Sequence, residues 1–144
     1  MREIQGRILG IDYGTKRIGI AVSDPMRIIA RSVVTLSNTP KLFEELHALI
    51  SQYQIEIIIV GNPLTLKGEK SFAAMEVEQF VSSLREIFHG EIVFFDERFT
   101  SVQANAILFE TKKKKQRRDK SLVDKVAASV LLQNYLDQQQ YSSQ

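Results

Sequence analysis

Cysteine is absent from this chain of 144 residues, which excludes disulfide bonds, thiolate zinc sites and cysteine nucleophiles and agrees with a reducing compartment. Long apolar runs are absent too. No uninterrupted stretch approaches the ~20 residues that a membrane span needs, and the N-terminus lacks the apolar segment of a signal peptide. We therefore predict a soluble, cytoplasmic protein with no membrane partner, in which oxygen atoms are the ligands of any bound metal ion.

The chain is close to neutral, with a formal net charge of +2, but its positive charge is concentrated in one segment. Residues 112–120 hold seven Lys or Arg and one Asp, a net charge of +6, which leaves −4 for the remainder. Because so many like charges disfavour packing, we predict a mobile basic loop over about 112–120. Such a loop suits sequence-independent binding to the phosphates of nucleic acid, although a solvated loop without a binding role remains the alternative. The candidate substrate-binding residues are Lys112, Lys113, Lys114, Lys115, Arg117 and Arg118.

The length and the 44% hydrophobic content fit one globular domain over residues 1–144. Patterning predicts an antiparallel meander followed by strands that alternate with helices. The predicted strands are 7–12, 17–23, 28–36, 55–60 and 92–95. The predicted helices start near Thr39-Pro40, span about 73–88 and 100–109, and run from about 121 to 136, before a frayed polar tail over about 138–144.

This order of elements predicts an α/β fold with a mixed sheet that is covered by helices on both faces. The strand at 55–60 is almost purely aliphatic, which is typical of a strand covered on both sides. We expect the first strand to lie in the centre of the sheet. Ligands of such sheets bind at the carboxyl ends of the parallel strands, where Asp12, the 61–68 loop and Asp96-Glu97 would lie.

Asp12 ends the first predicted strand, in the sequence Gly10-Ile11-Asp12-Tyr13-Gly14. A carboxylate beside an apolar strand needs hydrogen bonds, a cation or a metal ion. In an extended strand Ile8, Gly10 and Asp12 share one face, so that Asp12 projects beyond a small residue. Asp12 could equally cap the tight turn that follows, as Asp before Gly often does.

Two later segments supply further carboxylates in similar settings. Asp96 and Glu97 follow the last predicted strand and should point to opposite faces, so that only one of them, with Glu97 having the longer reach, would join Asp12. Asp124 lies in the first turn of the last predicted helix, where Ala127 and Ala128 would permit close approach to the sheet. For Asp96 or Glu97 the alternatives are an ion pair with Arg98 or a favourable charge near a helix N-terminus. For Asp124 the alternative is stabilisation of the helix start by capping and dipole effects alone.

Three carboxylates from distant segments, without a histidine or cysteine cluster, suit hard divalent cations such as Mg²⁺ or Mn²⁺. Two such ions ~4 Å apart can activate water and stabilise the leaving oxygen in phosphodiester hydrolysis. The sequence does not decide whether the site binds one ion or two.

These residues resemble a known family, the YqgF-type pre-16S ribosomal RNA nucleases, also described as Holliday junction resolvases, which have an RNase H-like fold. The resemblance covers nearly the whole chain, because four elements occur in the same order and spacing. They are Gly10-Ile11-Asp12-Tyr13-Gly14 with Arg17, Gly19 and Ala21; Gly61, Pro63 and Gly68; Asp96-Glu97-Arg98-Phe99-Thr100-Ser101 with Ala104; and Asp124 with Ala127-Ala128.

The resemblance implies a three-layer α/β/α architecture with a five-stranded mixed sheet in the order 3-2-1-4-5, strand 2 being antiparallel. It implies Asp12, Glu97 and Asp124 as catalytic metal ligands for Mg²⁺ or Mn²⁺, with Arg17 and Arg98 holding phosphate or orienting a carboxylate. The chain departs from many nucleases of the wider superfamily at the end of strand four, where Asn62 stands in place of an acid.

The function that this resemblance implies is metal-dependent hydrolysis of precursor 16S ribosomal RNA in 5′-end maturation, by a monomer or weak homodimer. The first alternative is a resolvase of branched DNA, which should need a symmetric dimer. An actin-like ATP-binding module is a further alternative, because residues 12–15 also resemble a phosphate loop, but 144 residues supply only one of the two lobes of such proteins. A non-catalytic RNA-binding protein with structural acids is the last.

Overall fold

The structure is a computed structural model, and it describes residues 6–62, 72–96 and 120–142. These residues form five strands and three helices. The strands are β1 (Arg7–Asp12), β2 (Arg17–Ser23), β3 (Ala30–Ser37), β4 (Ile55–Asn62) and β5 (Glu91–Asp96), and the helices are α1 (Leu42–Gln52), α2 (Phe72–Leu84) and α3 (Lys120–Ser142). No described helix has a stretch long and apolar enough to cross a membrane.

The five strands form one mixed sheet in the order β3-β2-β1-β4-β5. β2 is antiparallel to β1 and β3, whereas β4 is parallel to both β1 and β5. This confirms the predicted meander, the central position of β1 and the predicted strand order. Consequently β1, β4 and β5 all end at the same edge of the sheet, which we call the carboxyl edge.

The alternating side chains of β1 separate two apolar layers. Leu9 and Ile11 are fully buried in the layer beneath α1 and α2, whereas Ile8 packs in the layer beneath α3. β4 supplies side chains to both layers, with Ile58 beneath α1 and α2 and Ile59 beneath α3. A strand covered on both faces needs aliphatic residues at every position, which explains the unbroken apolar run in β4. The arrangement is the predicted α/β/α sandwich.

Gly10 lets α3 approach the centre of the sheet closely. A Cβ atom at this position would lie 2.9 Å from Cβ of Leu132 and 3.5 Å from the carbonyl oxygen of Ala128. The first distance is shorter than real Cβ atoms tolerate, so only glycine fits without displacing the helix. The small residues noted in the sequence, Gly10 and Ala128, therefore bring α3 directly onto β1.

Some boundaries differ from the prediction. α1 begins at Leu42 instead of Thr39-Pro40, because a turn precedes it in which the N–H of Leu42 donates to the carbonyl of Thr39 at 3.0 Å. α3 continues to Ser142, so residues 138–142 are helical where a frayed tail was expected. Glutamine is a good helix former, and Leu136, 1% exposed, anchors the preceding turn. The predicted helix at 100–109 lies outside the described residues.

Asp24 organises the turn between β2 and β3. Its carboxylate accepts hydrogen bonds from the N–H groups of Met26, Ile28 and Ile29, at 2.7 to 3.2 Å. Partial burial raises the pKa of Asp24, but these backbone donors, Ile29 first, outweigh that effect and lower the pKa below its usual 3.8. The negative charge at this position therefore stabilises the fold.

Replacing Asp24 with alanine is expected to cost about 1 to 2 kcal/mol in the free energy of unfolding at pH 7. Because the folded-state pKa is depressed, this contribution is present above the unfolded pKa near 4 and is lost as pH falls through the lower folded value. Urea unfolding of wild type and Asp24→Ala between pH 7 and pH 3 measures it. If the difference in the free energy of unfolding between the two proteins stayed constant down to pH 3, the proposed role of the charge would be contradicted.

Candidate functional site

Asp12 is the last residue of β1 and lies at the carboxyl edge of the sheet. It pairs with Gly19 of β2, and it follows Ile11, which is in register with Val60 of β4. The side chain of Asp12 is half-buried. Since Ile8 and Gly10 face α3, the alternation of the strand directs Asp12 to the same side. The predicted face of Ile8 and Gly10 is observed, and Asp12 is expected to share it.

Arg17, the first residue of β2, lies on the same side at the same edge. Ala21 of β2 packs beneath α3, and Ile18 and Ile20 pack in the opposite layer. Arg17 is four residues before Ala21 and so shares its face. The structure thus places a half-buried guanidinium and the carboxylate of Asp12 at one edge and on one face.

α3 runs antiparallel to β1, and its N-terminal end is directed toward Asp12. Two contacts show the direction of α3 relative to the strands. Ala128 and Leu132 lie over Gly10. Gln133 contacts the start of β3, where its Oε1 accepts a hydrogen bond from the N–H of Ala30 at 2.8 Å. Ala30 is level with Ser23 and so lies at the edge opposite Asp12. Asp124 is in the first turns of α3, one helical turn before Ala128.

The remaining predicted site residues lie outside the described part of the chain. These are Glu97, Arg98, Lys112, Lys113, Lys114, Lys115, Arg117 and Arg118. β5 ends at Asp96, in register with Asn62 at the end of β4. Phe95 belongs to the apolar layer beneath α3, so the end of β5 reaches the same edge as Asp12.

Within residues 6–62, 72–96 and 120–142 there is no group of three or more acidic or histidine side chains that could hold a metal ion. The carboxylate of Asp12 lies at the carboxyl edge, and the chain has no thiolate to compete with it. Carboxylate oxygens are the donors that Mg²⁺ and Mn²⁺ prefer. The chemistry of this edge therefore fits a hard divalent cation.

The turn from Tyr13 to Lys16, which follows Asp12, is constrained by a close backbone contact and by two side-chain hydrogen bonds. A Cβ at Gly14 would lie 2.4 Å from the carbonyl oxygen of Arg17, so the turn requires glycine. Asn38, just after β3, stabilises the turn through two hydrogen bonds: its Nδ2 donates to the hydroxyl of Tyr13 at 3.1 Å and to the carbonyl of Gly14 at 3.2 Å. Asn38 was not predicted as a site residue, and no sequence pattern singles it out.

A cavity of about 520 Å³ lies beside this turn, on the side of α1 and α2. Its floor is formed by aromatic rings: the ring centroid of Phe80 lies 4.9 Å from that of Tyr13 and 5.6 Å from that of Phe43. Its rim is formed by Phe72 and Met75 of α2, which are 76% and 55% exposed. The sequence did not predict this cavity. Phe72 and Met75 fall outside the core-facing row of α2, but the cavity forms only where α2 meets the turn after β1.

Comparison with known proteins assigns the family. A sequence model described as "RuvX: Holliday junction resolvase" matches residues 6–138. A protein of Sulfurihydrogenibium sp. named "Putative pre-16S rRNA nuclease" is 44% identical over 140 residues, which cover 96% of this chain and 94% of the relative. A protein of Roseiflexus sp. with the same name is 39% identical over 93% of this chain and 96% of its own length.

Solved structures agree on the fold. Thermus thermophilus RuvC in complex with a Holliday junction superposes with a TM-score of 0.56 at 16% identity, over 94% of this chain and 96% of that chain. The fowlpox virus Holliday junction resolvase superposes with a TM-score of 0.55 at 10% identity, over 92% and 99%. At these identities the likeness concerns the fold alone. The sequence matches, by contrast, extend over nearly the full length of both partners, and they confirm the predicted resemblance: the chain belongs to the RuvX family.

Proposed function

We propose that this protein is a divalent-metal-dependent nuclease that hydrolyses phosphodiester bonds of precursor 16S ribosomal RNA at its 5′ end. The observation that carries the proposal is the position of Asp12 at the carboxyl edge, on the face toward which the N-terminal end of α3 is directed. The family description and the names of the relatives support nuclease chemistry. Such an enzyme would work in the cytoplasm, where ribosomal RNA matures.

Asp12, Glu97 and Asp124 would hold the metal ion. Asp124 lies one turn before Ala128, whose backbone touches the Gly10 position of β1. Side chains two residues apart in a strand share a face, so Glu97 is expected on the side of Phe95, beneath α3, if the extended backbone of β5 continues. When bound, a divalent cation supplies activation of water and neutralises the charge that develops on the leaving oxygen.

The cationic residues would bind and orient the substrate. Arg17 shares the face and edge of Asp12, and a guanidinium can hold a phosphate through two parallel hydrogen bonds. Arg98, next to Glu97 in the sequence, would act in the same way. The basic segment at 112–120 would bind phosphates farther along the strand, which makes affinity depend on salt and little on sequence.

Resolution of Holliday junctions is the second candidate, and the description of the matching family favours it. The two activities share one cleavage chemistry and differ in substrate and assembly. A resolvase must cut two strands related by symmetry, so it should act as a dimer. Cleavage of ribosomal RNA precursor needs only one active site.

A comparison of both substrates tests the proposal. Purified protein with Mg²⁺ or Mn²⁺ is expected to shorten a precursor 16S RNA fragment at its 5′ end, with at least about 100-fold loss of rate when EDTA removes the ion. A four-way DNA junction of equal length is the matched substrate, and sedimentation is measured under the assay conditions. Cleavage of the junction by a dimer, with intact precursor RNA, would replace the first candidate with the second. No cleavage of either substrate would reject both.

A further inference from the structure

We propose that the cavity between α2 and the turn after Asp12 binds one unpaired nucleobase of the substrate, with guanine preferred. This inference rests on the proposed function for its biological meaning, since the base would belong to the strand that is cut. It concerns residues that lie on the other side of the sheet from the predicted metal ligands.

The composition of the cavity selects a base over a phosphate. Three aromatic rings form its floor, and the lining holds one charged side chain, the carboxylate of Glu76, with no Lys or Arg among the described residues. A carboxylate without a cation repels phosphate, whereas aromatic rings bind the faces of bases in single-stranded nucleic acid. The exposed Phe72 and Met75 at the rim can close on the second face of a bound base.

The size and position of the cavity fit the same ligand. Its volume of about 520 Å³ lies within the range of roughly 300–1,000 Å³ that is typical of small-ligand pockets and leaves room for a base with its sugar. Tyr13 and Thr15 belong to its lining, and Tyr13 directly follows Asp12. A strand crossing the carboxyl edge could therefore present a phosphate on the Asp12 side and a neighbouring base on the cavity side.

Glu76 supplies the preference for guanine. The Watson–Crick edge of guanine carries two adjacent donors, N1–H and the N2 amino group, which a carboxylate accepts together. Adenine offers one donor beside an acceptor, so it would leave one carboxylate oxygen facing a lone pair. A matched bidentate contact discriminates between bases by about tenfold or more.

The test measures binding without cleavage, by fluorescence anisotropy of RNA hairpins in EDTA. The hairpins differ only in one unpaired loop nucleotide, G, A, C or U. We expect wild type to bind the G hairpin about tenfold more tightly than the A hairpin. Glu76→Gln should reduce this ratio to about two, whereas Glu78→Gln, the same change on another face of α2, should leave it unchanged. Phe72→Ala should weaken binding of every unpaired base about tenfold while leaving a blunt duplex unaffected.

Equal binding of the four hairpins by folded wild type would overturn the proposal, as would a G preference that survives Glu76→Gln. Loss of affinity for the blunt duplex in Phe72→Ala would also count against it. Circular dichroism of each variant checks that the fold is retained. Failure of the proposed function would appear in a different measurement, the cleavage assay with metal present. A protein that never cleaves could still show the G preference, and an active nuclease could lack it.

Discussion

Substituting Asp12 by asparagine is expected to reduce cleavage of the preferred substrate by about 1,000-fold or more at saturating metal. Asparagine preserves the size of the side chain and removes only its charge. Asp12 is half-buried at the end of a central strand. We therefore expect the substitution to weaken binding of the cation and to leave the sheet folded. Single-turnover cleavage with Mg²⁺ and with Mn²⁺ measures the effect.

Asp137→Asn is the matched control. Asp137 is an exposed carboxylate near the other end of α3, where it accepts a hydrogen bond from Nε2 of Gln133 at 3.0 Å. Its loss should change the cleavage rate by no more than about twofold, since isolated surface charges contribute little. Equal cleavage rates for Asp12→Asn and wild type would remove Asp12 from the catalytic site.

The second large effect concerns the contact between Gly10 and α3. Gly10→Val is expected to lower the free energy of unfolding by about 1 to 3 kcal/mol, because its Cβ alone would meet Cβ of Leu132 at 2.9 Å. Valine favours strands intrinsically, so a loss of stability would report the steric conflict and not the strand propensity. We also expect slower cleavage, since α3 carries Asp124 and would be pushed away from β1. Urea unfolding, together with the cleavage assay, measures both effects.

A double-mutant cycle identifies the contact. Leu132→Gly removes the Cβ atom that the Cβ of valine would strike, so Gly10→Val should cost less in that background than in wild type. Ser37→Val, at an exposed position of β3, serves as the control for strand propensity and should change stability by no more than about 0.5 kcal/mol. Strictly additive costs for Gly10→Val and Leu132→Gly would show that the helix does not sit on Gly10.

Much of the fold was predictable from local patterns. The bounds of β1 and β2 were predicted at the residues where the structure has them, because apolar runs are interrupted there by Gly14 and by Asp24-Pro25. The aliphatic run in β4 predicted a strand covered on both faces. Boundaries set by capping, such as the start of α1 at Leu42, were less accurate because a single hydrogen-bonded turn shifts them.

The candidate site was predictable only in part. Ile8, Gly10 and Asp12 could be placed on one face because strand alternation is a local rule, and the resemblance added Arg17, which the structure brings to the same edge as Asp12. The cavity beside Tyr13 could not be found in this way. It forms where α2 and the turn after β1 meet, residues about 60 positions apart in the chain, and no local periodicity encodes that meeting. Asn38 was missed for the same reason, since its partners lie 24 and 25 residues away.

In the proposed catalytic site Asp12 and Asp124, far apart in the sequence, hold the same ion. Titration with Mn²⁺, followed by the electron paramagnetic resonance signal of the free ion, tests this directly on wild type, Asp12→Asn, Asp124→Asn and the control Asp137→Asn. We predict that the first two variants each weaken binding by at least about tenfold and that the control binds as wild type does. Undiminished Mn²⁺ affinity in either Asp12→Asn or Asp124→Asn would contradict the shared site.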